Sequence, residues 1–138
     1  MSGSNAPSGA ASIIPEIGTD PVAAVRASLP YAALEHVRDH LHASDDLLAR
    51  ALGVSTRTLK RRREAGTLTT DESDRLVLLA EIVALARQAF DGPGPAREWL
   101  RTPHSMLGDE SLLNHMDTVA GMEEVKRLLY HIEYGLPA

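Results

Sequence analysis

Between Leu47 and Leu68 the chain carries six bases, Arg50, Arg57, Lys60, Arg61, Arg62 and Arg63, against one acid, Glu64. That window is +5 in a 138-residue chain of net charge -5, so everything outside it totals -10. A basic surface on an acidic body is the electrostatic footprint of phosphate contact. The same bases on a solvated surface helix, or paired with acids elsewhere, are the plainer reading. Position favours the first. Residues 45–65, DDLLARALGVSTRTLKRRREA, have the layout of a helix-turn-helix. Ala49 is the small residue where two helices cross, Gly53 tolerates positive φ at the turn, Val54 packs the turn, and Leu59 anchors the second helix.

Helical geometry divides the work. The N-terminal end of a recognition helix approaches base edges, which nominates Ser55, Thr56, Arg57 and Thr58 for DNA. Arg57, Lys60 and Arg61 stand at i, i+3 and i+4, along one side, and Arg57 is the candidate for a bidentate guanine contact. Four consecutive residues splay over about 300° of a helix, so Lys60 to Arg63 cannot all face one groove. Arg62 and Arg63 therefore grip phosphate or salt-bridge to the acidic body. Arg62 also occupies a position where many helix-turn-helix proteins carry an apolar residue.

Catalytic patterns are not readable. Six histidines lie at 36, 40, 42, 104, 115 and 131. His36 and His40 have metal-compatible spacing, but the His-Glu-x-x-His pattern is missing and two such histidines more often edge a polar surface. Cysteine is absent, which removes disulfides, thiolate metal sites and a thiol nucleophile. No Gly-rich phosphate loop or nucleophile elbow occurs. The acids Asp45, Asp46, Asp71, Glu72 and Asp74 stand at helix starts, where capping explains them. We expect a binding protein rather than an enzyme, with no catalytic residue, metal or cofactor.

The elements that must position these residues read as all-α. Residues 1–19 are Ser/Gly/Ala/Pro-rich and are expected to form a flexible tail. Asp20-Pro21 starts a helix, Pro30 interrupts it, and residues 31–42 continue. Ser44 and Ser55 cap the two helices of the motif, ended by Gly53 and Gly66. Thr70 caps a long helix to Phe90, stopped by Gly92-Pro93-Gly94-Pro95. Short helices follow at 96–101 and from Ser111 to Met116, then a last one from Met122 to Tyr134. Trp99 reads as a core anchor. This gives a helix-turn-helix region over 20–68, joined by the long helix to a small helical unit over 69–138. No secretory signal or membrane span is readable, so a cytoplasmic protein without a membrane partner is expected.

The long helix has two apolar stripes. Leu76, Leu79, Ala80, Val83, Ala86 and Phe90 make one, and Leu78, Ile82, Leu85 and Ala89 the other. One stripe suffices for a surface helix. Two mean a helix central to its own fold, or one that also meets a partner, in which case Leu78, Ile82 and Leu85 are the homodimer contacts.

From Leu52 to Gly135, about 60% of the chain, the sequence resembles the MbcA/ParS/Xre antitoxin family of bacterial toxin–antitoxin systems. The resemblance is carried by LGVSTRTLKRRREAGTLTTDESDRL, Ala96-x-x-Trp99-Leu100, Pro103 and Leu107-Gly108. It continues through Asp117-Thr118, Gly121, Val125 and Leu128-Leu129-x-x-Ile132-Glu133-x-Gly135. The family commonly has a second glycine where this chain has Asp109, and a proline where it has Leu112. The resemblance implies a helix-turn-helix region and a C-terminal toxin-binding domain, with dimerisation and repression of the shared operon through operator DNA. It further implies neutralisation of a RES-domain, NAD-consuming toxin by C-terminal residues inserted near the toxin's active site. Here these would be Glu133, Tyr134, Gly135, Leu136, Pro137 and Ala138. A stand-alone helix-turn-helix regulator with no toxin is the alternative, and an interaction module with a vestigial DNA-binding half a third.

Overall fold

The structure, a computed structural model, describes residues 9–135. Among them the chain forms α1 (Gly9–Ile13), α2 (Pro21–Arg26), α3 (Ala32–Leu41), α4 (Asp45–Leu52), α5 (Thr56–Ala65), α6 (Thr70–Phe90) and α7 (Pro93–Arg101). A two-residue hairpin, β1 (Pro103–His104) and β2 (Glu110–Ser111), leads to α8 (Leu112–His115) and α9 (Val119–Tyr134). The architecture is all-α, as the periodicity predicts. None of these helices is long and apolar enough to cross a membrane.

The axis is α6. Leu76, Leu79, Ala80, Ile82, Val83 and Ala86 are all buried in one core shared by the other helices, with α1, α9 and α7 lying most extensively along it. The helix starts one residue earlier than the threonine pattern suggests. Thr69, not Thr70, is the N-cap: its Oγ1 accepts the Glu72 N–H at 3.1 Å, and the Glu72 carboxylate accepts the Thr69 N–H at 2.9 Å. Such a reciprocal box satisfies two of the helix's orphan donors at once.

The expectation of a flexible tail over 1–19 needs correction for residues 9–17. They form α1 and a 3-10 turn over Pro15–Ile17, with Ala10, Ala11, Ile13, Ile14 and Ile17 buried. Each buried isoleucine contributes roughly 1.5–3 kcal/mol of hydrophobic stabilisation toward the ordering of the segment. The small residues around them allow close approach: a Cβ on Gly9 would stand 3.3 Å from the Ala84 Cβ of α6. Low-complexity composition had masked a core segment.

Ile82 must also be withdrawn from the dimer contacts. It is 0% exposed and belongs to the chain's own core. Leu78 and Leu85 are only half-buried and line surface grooves on α6. The second stripe is therefore internal at Ile82 and half-buried at Leu78, Leu85 and Ala89.

Two further differences are local. α7 begins at Pro93 and α9 at Val119, each three residues before its expected start, because Gly92 and Thr118 serve as N-caps. The hairpin pairs Pro103 with Ser111 and His104 with Glu110 across a turn closed by Gly108 and Asp109, both with positive φ. Strands of two residues leave no alternation to read. Asp109, at φ +63°, takes the left-handed conformation where the family's glycine stands, a conformation that aspartate tolerates better than most side chains.

Candidate nucleic-acid interface and C-terminal surface

Local chemistry builds the helix-turn-helix. Ser44 Oγ accepts the Leu47 N–H to open α4, and Gly53 closes it in the left-handed region at φ +74°. The positive φ is what favours glycine there; a Cβ would also fall 2.7 Å from the Arg75 guanidinium, the end of a flexible side chain that would have to shift. Ser55 Oγ then accepts the Thr58 N–H at 3.1 Å to start α5. Behind the motif, residues 29–31 strap onto 66–68: Leu68 N–H donates to the Leu29 carbonyl and Tyr31 N–H to the Gly66 carbonyl. The buried Ser73 hydroxyl accepts the Leu29 N–H and donates to the Thr69 carbonyl, which ties the strap to α6.

On α5 only Leu59 is fully buried. Thr56, Arg57, Lys60 and Arg61 are exposed, and the last three hold the shared side that their spacing predicts. Ser55 and Thr58 are engaged with each other through their hydroxyls at 3.2 Å, and Arg61 donates to Thr58 Oγ1 at 3.3 Å. Arg62 turns the other way. Its Nε stands 2.7 and 3.0 Å from the two carboxylate oxygens of Glu72, which is itself 4% exposed. Of the two roles open to Arg62, phosphate contact or a salt bridge to the acidic body, the guanidinium takes the second in this structure. Arg63 lies 5.7 Å from the Tyr31 ring centroid and 3.4 Å from both Asp45 oxygens.

The acids respond to these partners. Burial alone would raise the Glu72 carboxyl, but the hydrogen bonds from Arg62 and Thr69 hold it below the usual carboxylate range. The Asp45 carboxyl is lowered chiefly by its hydrogen bond from Arg38. Both contribute stability above their unfolded values that is lost as pH falls through the lowered ones.

The opposite pole is α9. Gln88 of α6 donates to the Glu133 carboxylate at 3.1 Å and to Tyr134 Oη at 3.2 Å, and the Tyr130 and Tyr134 rings stack at 5.6 Å. Val119, Tyr130, Ile132 and Tyr134 present apolar surface to solvent, as does Met106 in the hairpin turn. Gly135 closes the helix in the left-handed region. Glu133, Tyr134 and Gly135 are thus together at one end of α9; Leu136, Pro137 and Ala138 lie outside the described residues.

His115 joins α8 to its neighbours, with Nδ1 on Glu110 and Nε2 on Glu124. The hydrogen bonds to Glu124 and Glu110 raise its pKa above the ordinary histidine value. A raised folded value means the stabilisation is fully present below the unfolded value and is lost as pH rises through the folded one. The thermal midpoint is accordingly expected to decline as pH rises past about 6.5, and His115→Gln to flatten that segment of the profile. An unchanged slope in the variant would mean the two glutamates do not hold the proton.

The other histidines make separate contacts, His36 with Glu16 and His40 with Arg87. Among the described residues no cluster of three metal-ligating side chains occurs. What sequence reasoning missed is a set of arginines joining the two poles. Arg75 donates to the Ala51 carbonyl at the end of α4 and to the Asp117 carbonyl before α9. Arg97 and Arg101 of α7 donate to the carbonyls of His40, Leu41 and His42 at the end of α3. Arg50 reaches Asn114. No local pattern marks such residues, because their acceptors, main-chain carbonyls and the Asn114 side chain, lie far along the chain.

Two family profiles match this architecture: the antitoxin Xre-like helix-turn-helix domain over residues 20–81, and the antitoxin Xre/MbcA/ParS C-terminal toxin-binding domain over residues 85–135. Both boundaries fall inside α6. An antitoxin Xre of Pseudomonas putida is 36% identical over 83 residues, covering 59% of this chain and 52% of that protein. An antitoxin Xre of Yersinia enterocolitica is 34% identical over 91 residues, covering 64% and 62%. The chain therefore spans between half and two thirds of the length of these relatives. A protein of Sphingobium sp. (strain YBL2) named Prs ADP-ribosylating antitoxin is 26% identical over 126 residues, covering 84% and 79%. With a helix-turn-helix at one pole of α6 and a toxin-binding fold at the other, the chain belongs to the Xre/MbcA/ParS antitoxin family.

Proposed function

We propose that this chain neutralises a RES-domain, NAD-consuming toxin by seating its C-terminal region, Glu133 to Ala138, in the toxin's active site. As a homodimer in the cytoplasm it also represses its own operon through α5. The observation that carries the reading is the division of one body into two unlike poles. Arg57, Lys60 and Arg61 form an exposed basic side of α5 that includes one acid, Glu64, while α9 ends in exposed tyrosines, of which Tyr134 accepts a hydrogen bond from Gln88. The name of the Sphingobium relative adds chemical support, since ADP-ribosylation draws its transferred group from NAD.

Modularity is the test. Cutting the chain after Ile132 is expected to abolish rescue of cells expressing a co-encoded RES toxin and to leave DNA binding intact. Replacing Arg57, Lys60 and Arg61 by Gln should do the reverse, lowering the salt slope of DNA binding by up to about 2.7 for three lost phosphate contacts. Full rescue by the truncated chain would overturn the C-terminal assignment, and an unchanged slope would overturn the DNA assignment.

A further inference from the structure

Leu59 is the single fully buried side chain on α5, so one apolar contact and two short turns do not fix the rotation of a ten-residue helix on its body. The position at Arg62, where an apolar residue commonly completes such an anchor, carries a base. Its side chain is three-quarters buried, and its Nε holds both oxygens of a carboxylate that is almost wholly buried. That carboxylate has a second task. Glu72 Oε1 also accepts the Thr69 N–H that caps α6, the axis of the fold. One oxygen therefore receives a hydrogen bond from each of the two elements whose relative angle matters.

We propose that Glu72 is a positioning residue for DNA recognition: by capping α6 and clamping Arg62 together, it sets the angle at which α5 presents Arg57, Lys60 and Arg61. This rests on reading α5 as the recognition helix. Charge-assisted hydrogen bonds are directional and short, so an ion pair fixes orientation where a single leucine fixes only proximity. On the other flank Arg63 holds Asp45 and the Tyr31 ring at looser distances. The four consecutive bases thus divide into two that face solvent and two that brace the helix.

The sign of one substitution separates this from simple electrostatics. Glu72→Gln removes a negative charge beside a DNA-binding helix while keeping an amide oxygen to accept the Thr69 N–H. If charge alone mattered, DNA would bind more tightly. The positioning role requires weaker binding. The full chain would be titrated with duplexes tiling the region upstream of its own gene and with a random duplex, at several salt concentrations. Glu72→Gln and Arg62→Gln are each expected to lower the ratio of specific to random affinity at least tenfold. The salt slope should stay unchanged, and the double variant should be no worse than either single one.

Tighter binding by Glu72→Gln, or a slope lowered by about one in Arg62→Gln, overturns the proposal, since the latter marks a direct phosphate contact. Hydrogen exchange supplies a readout that does not depend on DNA. Both variants should exchange faster along α5 while α9 keeps its protection, and unchanged α5 protection overturns the proposal. If the wild type binds none of the duplexes, the reading of α5 as a DNA contact has failed, and exchange still decides whether the clamp orients the helix. Should Glu72→Gln not fold, Arg62→Gln leaves the α6 cap in place and carries both measurements.

Discussion

Gly121→Ala is expected to destabilise the protein by about 3 kcal/mol and to lower its thermal midpoint by about 10 °C. The reason is not conformational freedom, since Gly121 lies within α9 rather than at a turn with positive φ. The reason is space. A Cβ at this position would stand 1.9 Å from the His115 carbonyl oxygen and 3.2 Å from Thr118 Oγ1, the hydroxyl that caps α9 by accepting the Gly121 N–H. Main chain cannot rotate aside as a flexible side chain can. Either α8 lifts from α9, breaking the links from His115 to Glu110 and Glu124, or the start of α9 unwinds and loses its cap. Both routes uncover Met116, Met122 and Val125 of the C-terminal core. Thermal and urea unfolding of the variant measure the effect. A midpoint equal to wild type would mean that α8 does not close over α9 as it does here.

Legibility in the sequence followed the range of each interaction. Ser44, Ser55, Gly53 and Gly66 were readable as caps because their partners lie within one turn of the same helix. The all-α class, the motif and the extent of α6 came from patterns of similar reach. The exposed trio Arg57, Lys60 and Arg61 followed from helical spacing alone. Helical splay separates Arg62 from that trio, but spacing does not name its partner, because Glu72 lies across a turn on the next helix. Residues 9–17 read as tail because their isoleucines are diluted by Gly, Ala and Ser. Their burial depends on α6, some seventy residues on, which the composition of a short window does not register. Arg75 was invisible for the same reason, its acceptors being carbonyls 24 and 42 positions away.

The second stripe of α6 yields the other large effect. Ile82→Glu is expected to leave no folded protein at 25 °C. Ile82 is 0% exposed in a core of aliphatic side chains, and an unpaired carboxylate there costs roughly 4–5 kcal/mol or more on top of the lost packing. That approaches the whole stability of a domain of this size. Leu78 stands one turn earlier on the same stripe, yet its surroundings differ. It is half-buried beside Asp74, Arg75, Glu81, Glu123 and Lys126, where water and charge reach the substituted side chain. Leu78→Glu is therefore expected to fold, with a cost of about 1 kcal/mol. Circular dichroism separates the two variants, and a folded Ile82→Glu would contradict the central position of α6. The contrast also narrows any homodimer to what Leu78 and Leu85 can still offer. Sedimentation of the folded Leu78→Glu protein reads that directly: a mass matching a dimeric wild type removes Leu78 from the interface, and a monomer keeps it there.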